Sequence, residues 1–399
     1  MKKSLMTIAI MAASVCMMAS CGNKSANASG EAGAEAAADE NSPAMELLNS
    51  VPFTEEGLLS MIKTPEGEAL TDDEFEALFL AYSKVPVNEK NMELESNFIA
   101  DARNKIMKNH KRPASAGDIC LKLLKNASPQ VRGVAVQQFG GLFGMSAETV
   151  GNLTNALDGE KDPFVLKHAI RTLANELKRP GASSFVLGQI DNENKFVRQA
   201  VAFSVGNSWS KGVDGVKEAA LKLFGDSDID VRKAILGNVG KLADDSFVPE
   251  LVKVLDDPEQ SKVHGDAMRS LYSMWYDYPF HKNTSKAAFE ATVNYLKKTP
   301  RTKDIPAWTA VGSLETRNDK EYDAWKAQAT YFNEAEWVKL MSEIAADPNA
   351  NWLGRTPAVK VIAKYGSKAD LEKLKAKVEA NSDDSNQKFV LEAIEKALK

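Results

Sequence analysis

The sequence predicts an all-α protein, an α-solenoid of stacked antiparallel helix pairs, and three observations carry that expectation. The first is a triplet of apolar residues spaced by four, the stripe of an amphipathic helix at 3.6 residues per turn. It occurs as Val131, Ala135 and Phe139; Val165, Ala169 and Leu173; Val197, Val201 and Val205; Val231, Ile235 and Val239; and Val263, Ala267 and Leu271. The second is the regular step between copies: the triplets start at positions 131, 165, 197, 231 and 263, a period that marks stacked supersecondary units. The third is a recurring helix start. Ser128-Pro129, Asp162-Pro163 and Asp257-Pro258 each place a capping side chain before a proline at the first helical position, where the missing N–H costs nothing. Ser227 with Asp230 makes the same start by another route.

Taken in order, the chain opens with Met1-Lys2-Lys3, an uncharged run over 4–20, and Cys21 preceded by Ala19-Ser20. A short basic segment, an apolar core and small residues before a cut site describe an export signal over 1–20, and the run is shorter than the roughly 20 residues needed to span a bilayer. The Ala19-Ser20-Cys21 junction resembles a bacterial lipobox, with Met18 where that family usually has Leu. The resemblance implies cleavage before Cys21 and lipidation of its thiol and amino group, a plain secretory signal being the alternative. Gly22, not Asp, follows the cysteine, and in the same family this favours the outer membrane. Residues 22–49 are rich in Ala, Ser, Asn, Gly and Glu, so a disordered tether is expected over 21–50.

Residues 51–118 carry helical stretches without the repeat signature, as the capping end of a solenoid requires. Thr71-Asp72-Asp73-Glu74 reads as a capping box ahead of Phe75, Leu78, Phe79 and Tyr82, with Pro86 beyond, and a second helix is expected over about 93–108. The solenoid is expected over 119–399. Its second helices fall at about 147–157, 183–190, 213–224 and 247–255, with Gly144, Gly181, Gly212 and Asp244-Asp245 as turn residues. After 263 the units lengthen, and regularity returns with Gly354-Arg355, Ala358 and Ile362, then Val390, Ile394 and Leu398.

The Val-Arg pairs at 131–132, 197–198 and 231–232, with small residues three or four places on and Gly140, Gly206 and Gly240, resemble HEAT repeats of the short bacterial kind. That resemblance implies a ladder of hydrogen bonds between adjacent repeats, to which Arg132, Arg198, Arg232 and Arg355 would belong and which Leu166 and His264 would interrupt.

Chemistry is sparse. Without residues 1–20 the chain holds 48 Lys and Arg against 55 Asp and Glu, an acidic balance unsuited to nucleic acid, which demands clustered basic charge. Cys16 leaves with the signal and Cys21 is lipidated, so Cys120 stands alone in an apolar helical run as a buried small hydrophobe. His110, His168, His264 and His281 have no partner at metal-ligand spacing, and no nucleophile elbow or phosphate-cradling loop is present. No catalytic residue, metal or cofactor is therefore expected. The strongest irregularity is aromatic: Trp275, Tyr276, Tyr278, Phe280, Trp308, Trp325 and Trp352 crowd the lengthened units. Two readings stand, large side chains filling wide gaps in a core, or a recognition surface. The expectation is a non-enzymatic envelope scaffold that binds another envelope protein. The alternative is a receptor that takes a glycan or peptide on the aromatic residues.

Overall fold

The computed structural model describes residues 42–276, 282–298 and 319–399. The export signal, Cys21 and most of the tether, together with Tyr278, Phe280 and Trp308, lie outside the described residues.

The N-terminal region is built from α1 (Pro43–Asn49), α2 (Glu55–Met61), α3 (Asp72–Leu80), a hairpin of β1 (Val87–Asn88) and β2 (Glu93–Leu94), and α4 (Phe98–Asn109). Helix α1 corrects the expected tether, which stops short of residue 50. Ser42 caps it through the Met45 amide, Pro43 occupies its first turn, and Ala44 and Leu48, one turn apart, are buried where α1 packs on α3. The capping box of α3 forms, with Thr71 accepting from the Glu74 amide and Glu74 returning to the Thr71 amide. Glu74 also accepts from the Lys63 and Thr64 amides and the Thr64 hydroxyl. Burial alone would raise this carboxyl, but these donors outweigh it and hold it at about 2. The hairpin is a second difference from the sequence reading: β1 pairs antiparallel with β2, Val87 opposite Leu94, and α4 starts at Phe98 instead of near 93.

Next come helix pairs. One layer consists of α5 (Ala116–Leu123), α7 (Ala147–Ala156), α9 (Pro180–Leu187), α11 (Val216–Phe224), α13 (Val248–Asp256) and α15 (Lys286–Lys297). The other consists of α6 (Pro129–Phe143), α8 (Pro163–Leu173), α10 (Lys195–Val205), α12 (Ile229–Leu236) and α14 (His264–Trp275), each packed on the next. The second layer carries the triplets, and Val131, Val165, Val197, Val231 and Val263 are all fully enclosed. Each such side chain contributes about 1.5–3 kcal/mol once a neighbour covers it, which is why an isolated pair would not persist. Helix α12 is capped by Asp228 through the Asp230 amide, not by Ser227, and Gly181 lies inside α9 rather than in a turn.

Beyond residue 318 follow α16 (Asp319–Gln328), α17 (Glu334–Ala346), α18 (Trp352–Tyr365), α19 (Lys368–Glu379) and α20 (Gln387–Leu398). Here α17 packs on α18 and α19, and α18 on α20, with Ala358, Ile362, Val390 and Ile394 fully buried between them. Twenty α-helices against one two-residue-stranded hairpin make the described residues an all-α stack.

Candidate functional site

Three sets of side chains stand apart from the packing stripe: the arginines that follow it, the aromatic residues of the C-terminal units, and a polar cluster beneath the hairpin. Among the described residues no group of three His, Cys, Asp or Glu could hold a metal ion. No described helix is long and apolar enough to cross a membrane.

Arg132, on α6, reaches both ways along the row. Its Nη1 donates to the Asn126 and Ala127 carbonyls in the loop before its own helix, at 2.7 and 3.0 Å. Its Nε and Nη2 grip the Glu160 carboxylate in the next loop, at 2.8 and 3.2 Å. Arg198 repeats every contact two units later, with Asn192 and Glu193 carbonyls behind and Asp226 ahead at 2.8 and 3.0 Å. Burial opposes ionisation of Asp226, but the Arg198 guanidinium and the Asp228 amide hold its carboxyl below the usual range. Arg232 keeps only the backward arm, Nη1 to the Asp226 carbonyl at 2.6 Å. Its Nε is buried without a partner, for the residue 28 places on is Gln260, whose amide turns to Asp257. His264, expected to interrupt the ladder, supplies the backward arm itself through a ring nitrogen 2.9 Å from the Asp257 carbonyl. Arg355 is fully buried, with Nε donating to the Ala345 carbonyl at 2.9 Å and Nη2 2.6 Å from Asp384.

The aromatic crowding resolves into two places. Trp275, Tyr276 and Trp325 are fully enclosed, which corrects their reading as candidate binding residues. Trp325 stacks edge-on to Tyr276 at 4.8 Å and to Phe332 at 5.0 Å, and its indole donates to the Trp275 carbonyl at 2.7 Å. Trp275 in turn donates to Thr292 Oγ1 at 3.1 Å. These rings fill the space between α14, α15, α16 and α17, where small aliphatic side chains at the regular spacing would leave voids. Trp352 behaves differently. It is 38% exposed and stacks at 5.0 Å on Phe389, itself 43% exposed, with Leu353 beside it. Cys120 is fully buried, and desolvation first of all raises its thiol to about 12, so it is an inert space-filler at neutral pH.

The polar cluster was missed by sequence reasoning. Helix α8 has buried residues in an unbroken run from Phe164 to Ile170, including Lys167 and His168. Lys167 Nζ donates to the Asn91 and Met92 carbonyls at the hairpin turn, at 3.0 and 2.8 Å, and to Glu93 at 2.6 Å. That latch holds Met92 in the left-handed region at φ 50°, where a non-glycine residue needs external support. His168 Nδ1 lies 2.6 Å from the Gln137 amide nitrogen, and its ring packs edge-on to Phe164 at 4.3 Å. Gly133 on α6 makes room, since a Cβ there would lie 2.4 Å from Phe164 Cε1. Burial, reinforced by the Lys167 and Arg171 charges, drives the His168 ring down to about 3, so it is neutral. The sequence carried no signal for it: Lys167, His168, Arg171 and Thr172 stand at i, i+1, i+4 and i+5, the polar face of an ordinary amphipathic helix, and only the hairpin's approach covers it.

A row of antiparallel helix pairs bound loop to loop by arginine defines an α-solenoid. A family model described as HEAT repeats matches residues 118–206, and over those residues the chain is similar to that family. No curated protein matches it in sequence. Among solved structures, an engineered protein is 16% identical with a TM-score of 0.38, covering 87% of this chain and 88% of its own. The complex of CpcE and CpcF of phycocyanin lyase from Nostoc sp. PCC7120 is 18% identical with a TM-score of 0.35, covering 72% of this chain and 96% of that one. A second engineered protein is 18% identical with a TM-score of 0.20, covering 70% and 96%.

Proposed function

We propose that this chain is a lipid-anchored scaffold of the bacterial cell envelope, tethered through Cys21 to the outer membrane, that binds another envelope protein and performs no catalysis. HEAT repeats are protein-interaction scaffolds, and the observation that carries the finer reading is how the charged groups are spent. The regular arginines tie loops together along the row, and the apolar triplets are consumed between helices. What remains for work is the solvated face of the row. The anchor rests on the Ala19-Ser20-Cys21 junction and on Gly22 after it.

Two measurements test this. Cells fed radiolabelled palmitate should label the wild-type chain and not Cys21→Ala, with the label in the outer-membrane fraction; equal labelling of both removes the anchor. Photo-crosslinkers on exposed positions of α10 and α12 should capture one envelope protein from intact cells, and a uniform smear or no adduct removes the scaffold.

A second reading, a receptor for a glycan or peptide, is favoured by the exposed Trp352–Phe389 stack, since a flat ring pair offers a face to a sugar or an apolar side chain. Quenching of Trp352 fluorescence by oligosaccharide, lost in Phe389→Ala, supports it. No quenching by any envelope glycan or peptide rejects it.

A further inference from the structure

A groove of about 560 Å³ lies between α17 and α19, and three lysines line it. Lys339 stands on α17, and Lys373 and Lys377 stand one turn apart on α19. All three are exposed, and among the described residues none of them forms an ion pair. Lys375, elsewhere on α19, shows the contrast: it pairs with Glu379 at 3.7 Å and with Glu395 at 3.3 Å. The one carboxylate in the lining, Asp370, is engaged in the cap of α19, where it accepts from the Ser367 amide at 2.8 Å and from the Ser367 hydroxyl at 2.7 Å. Glu336 and Glu343 lie one turn to either side of Lys339 on α17, outside the lining.

Between the lysines the floor is apolar, with Val338 and Leu374 buried and Tyr365 half-buried. Gly366 lets the turn after α18 pass close to that floor: a Cβ there would lie 3.1 Å from Val338 Cγ1 and 2.7 Å from the Ile362 carbonyl oxygen. An apolar floor with cations on both walls suits an anion with an apolar body, and the spacing of the cations narrows the choice. Side chains one turn apart on a helix, as Lys373 and Lys377 are, have Cβ atoms about 5–6 Å apart. Alternate side chains of an extended chain, at about 3.3 Å per residue, come close to the same interval. Lys339 faces that pair from a neighbouring helix whose axis is about 8–10 Å away, so the three charges spread over two walls instead of meeting at one point.

We infer that this groove docks an extended acidic segment of a partner protein, an assignment that rests on the scaffold reading above. Two carboxylates, two residues apart, face Lys373 and Lys377 along α19. The side chain between them points the other way, toward α17, where an apolar group covers Val338 and a neighbouring carboxylate meets Lys339. The lysines set register and speed encounter, and their share of the affinity is screened by salt. The covered floor supplies a share that salt does not screen.

The probe is a fluorescein-labelled peptide, Gly-Ser-Glu-Leu-Glu-Leu-Glu-Ser-Gly, titrated with the full chain and read by anisotropy; peptides with Ser or Lys in place of Glu are the controls. The acidic peptide should bind saturably and at least tenfold more tightly than either control, and should weaken as NaCl rises from about 50 to about 500 mM. Joint Lys373→Glu and Lys377→Glu should weaken it at least tenfold. Joint Lys217→Glu and Lys253→Glu, the same change of charge at exposed positions on α11 and α13, should not. In wild-type protein, which settles the matter should a variant not fold, bound peptide should protect Lys373 and Lys377 from acetic anhydride and leave Lys253 reactive. No saturable binding up to about 1 mM, equal binding of the Ser peptide, undiminished binding by the α19 variant, or no protection of the groove lysines would each overturn the assignment. Displacement of the peptide by equimolar tripolyphosphate would overturn it too, by making the groove a phosphate site. Failure here, with crosslinkers on α10 and α12 still capturing an envelope protein, removes this groove and leaves the scaffold standing; peptide binding without any such capture supports the groove and removes the scaffold.

Discussion

Replacing His168 by Gln should remove an acid-sensitive contribution to stability, and its size follows from the ring's surroundings. The imidazole is 2% exposed, and burial, with Lys167 and Arg171 adding repulsion, holds it neutral down to about 3. In the unfolded chain it titrates near 6.5. Between these values the unfolded state binds a proton that the folded state refuses, so folding stability falls as pH drops below about 6.5 and continues falling until about 3. At pH 5 the penalty relative to pH 7.5 is about 2 kcal/mol. That pH lies above the window in which Glu74, held at about 2, begins to lose its charge, and Asp226 and Asp384 are likewise lowered; their contributions are common to both proteins and cancel. A repeat protein need not unfold in one step, so the local opening free energy of α8, read by native-state hydrogen exchange, is the proper assay. Wild type should lose about 2 kcal/mol more than His168→Gln between pH 7.5 and 5, whatever the variant loses at pH 7.5 through altered packing. Equal losses in the two proteins would mean that the ring takes up its proton in place, and the account of α8 as a buried neutral element would fail.

Other expectations rest on the ladder and on one close contact. Gln260→Glu places a carboxylate at the position that Glu160 and Asp226 hold relative to their arginines; it should stabilise the α12–α14 units by about 0.5–1.5 kcal/mol, and the gain should vanish in Arg232→Gln, which denaturation midpoints of the four-member cycle will show. Asp384→Asn leaves the fully buried Arg355 guanidinium without its counter-charge and should cost about 3–5 kcal/mol, whereas the joint change Arg355→Met with Asp384→Leu should recover most of it; a double variant no better than the single one rejects the pairing. Gly240→Ala should cost about 1–3 kcal/mol, since its Cβ would lie 2.1 Å from the Ser270 carbonyl oxygen and displace the Ser270 hydroxyl that accepts from the Gly240 amide. A wild-type melting temperature for this variant would contradict the contact between that turn and α14.

Periodic features were legible in the chain and tertiary ones were not. The triplets, the Pro-marked starts at 129 and 163 and the arginines at 132 and 198 all follow from a unit that recurs, so any one copy is read with the help of the others. Local rules also identified the capping box at Thr71 and Glu74, because both partners lie within one turn. Trp325 shows the limit. Nothing within a few residues of it distinguishes a core ring from an exposed one, and its enclosure depends on Tyr276, 49 positions away, and Phe332 meeting it in space. Trp352 has the same composition around it and ends exposed, because the ring it meets, Phe389, belongs to the last helix, α20.

The same reasoning explains why the polar cluster arises where it does. Along a regular row each helix face is covered by a near-copy of itself, so apolar residues meet apolar residues between the helices. An element foreign to the repeat brings different chemistry against that surface. The β1–β2 hairpin and α4 are such elements. Their approach buries Lys167 and His168, which on a bare helix α8 would be solvated, and forces each to find a partner: Lys167 in the turn carbonyls and Glu93, His168 in Gln137. Arg103 lays its guanidinium over the Tyr82 ring and keeps Nη1 buried without a hydrogen-bond partner. The half-buried Arg103 guanidinium lies over the Tyr82 ring, 5.8 Å from its centroid, so an unbranched apolar side chain at 103 would keep the contact with the ring and remove the unmet donor. Arg103→Met should therefore match or exceed the wild-type melting temperature. A loss of several degrees would show that the guanidinium serves the fold itself, through its contact with the Tyr82 ring.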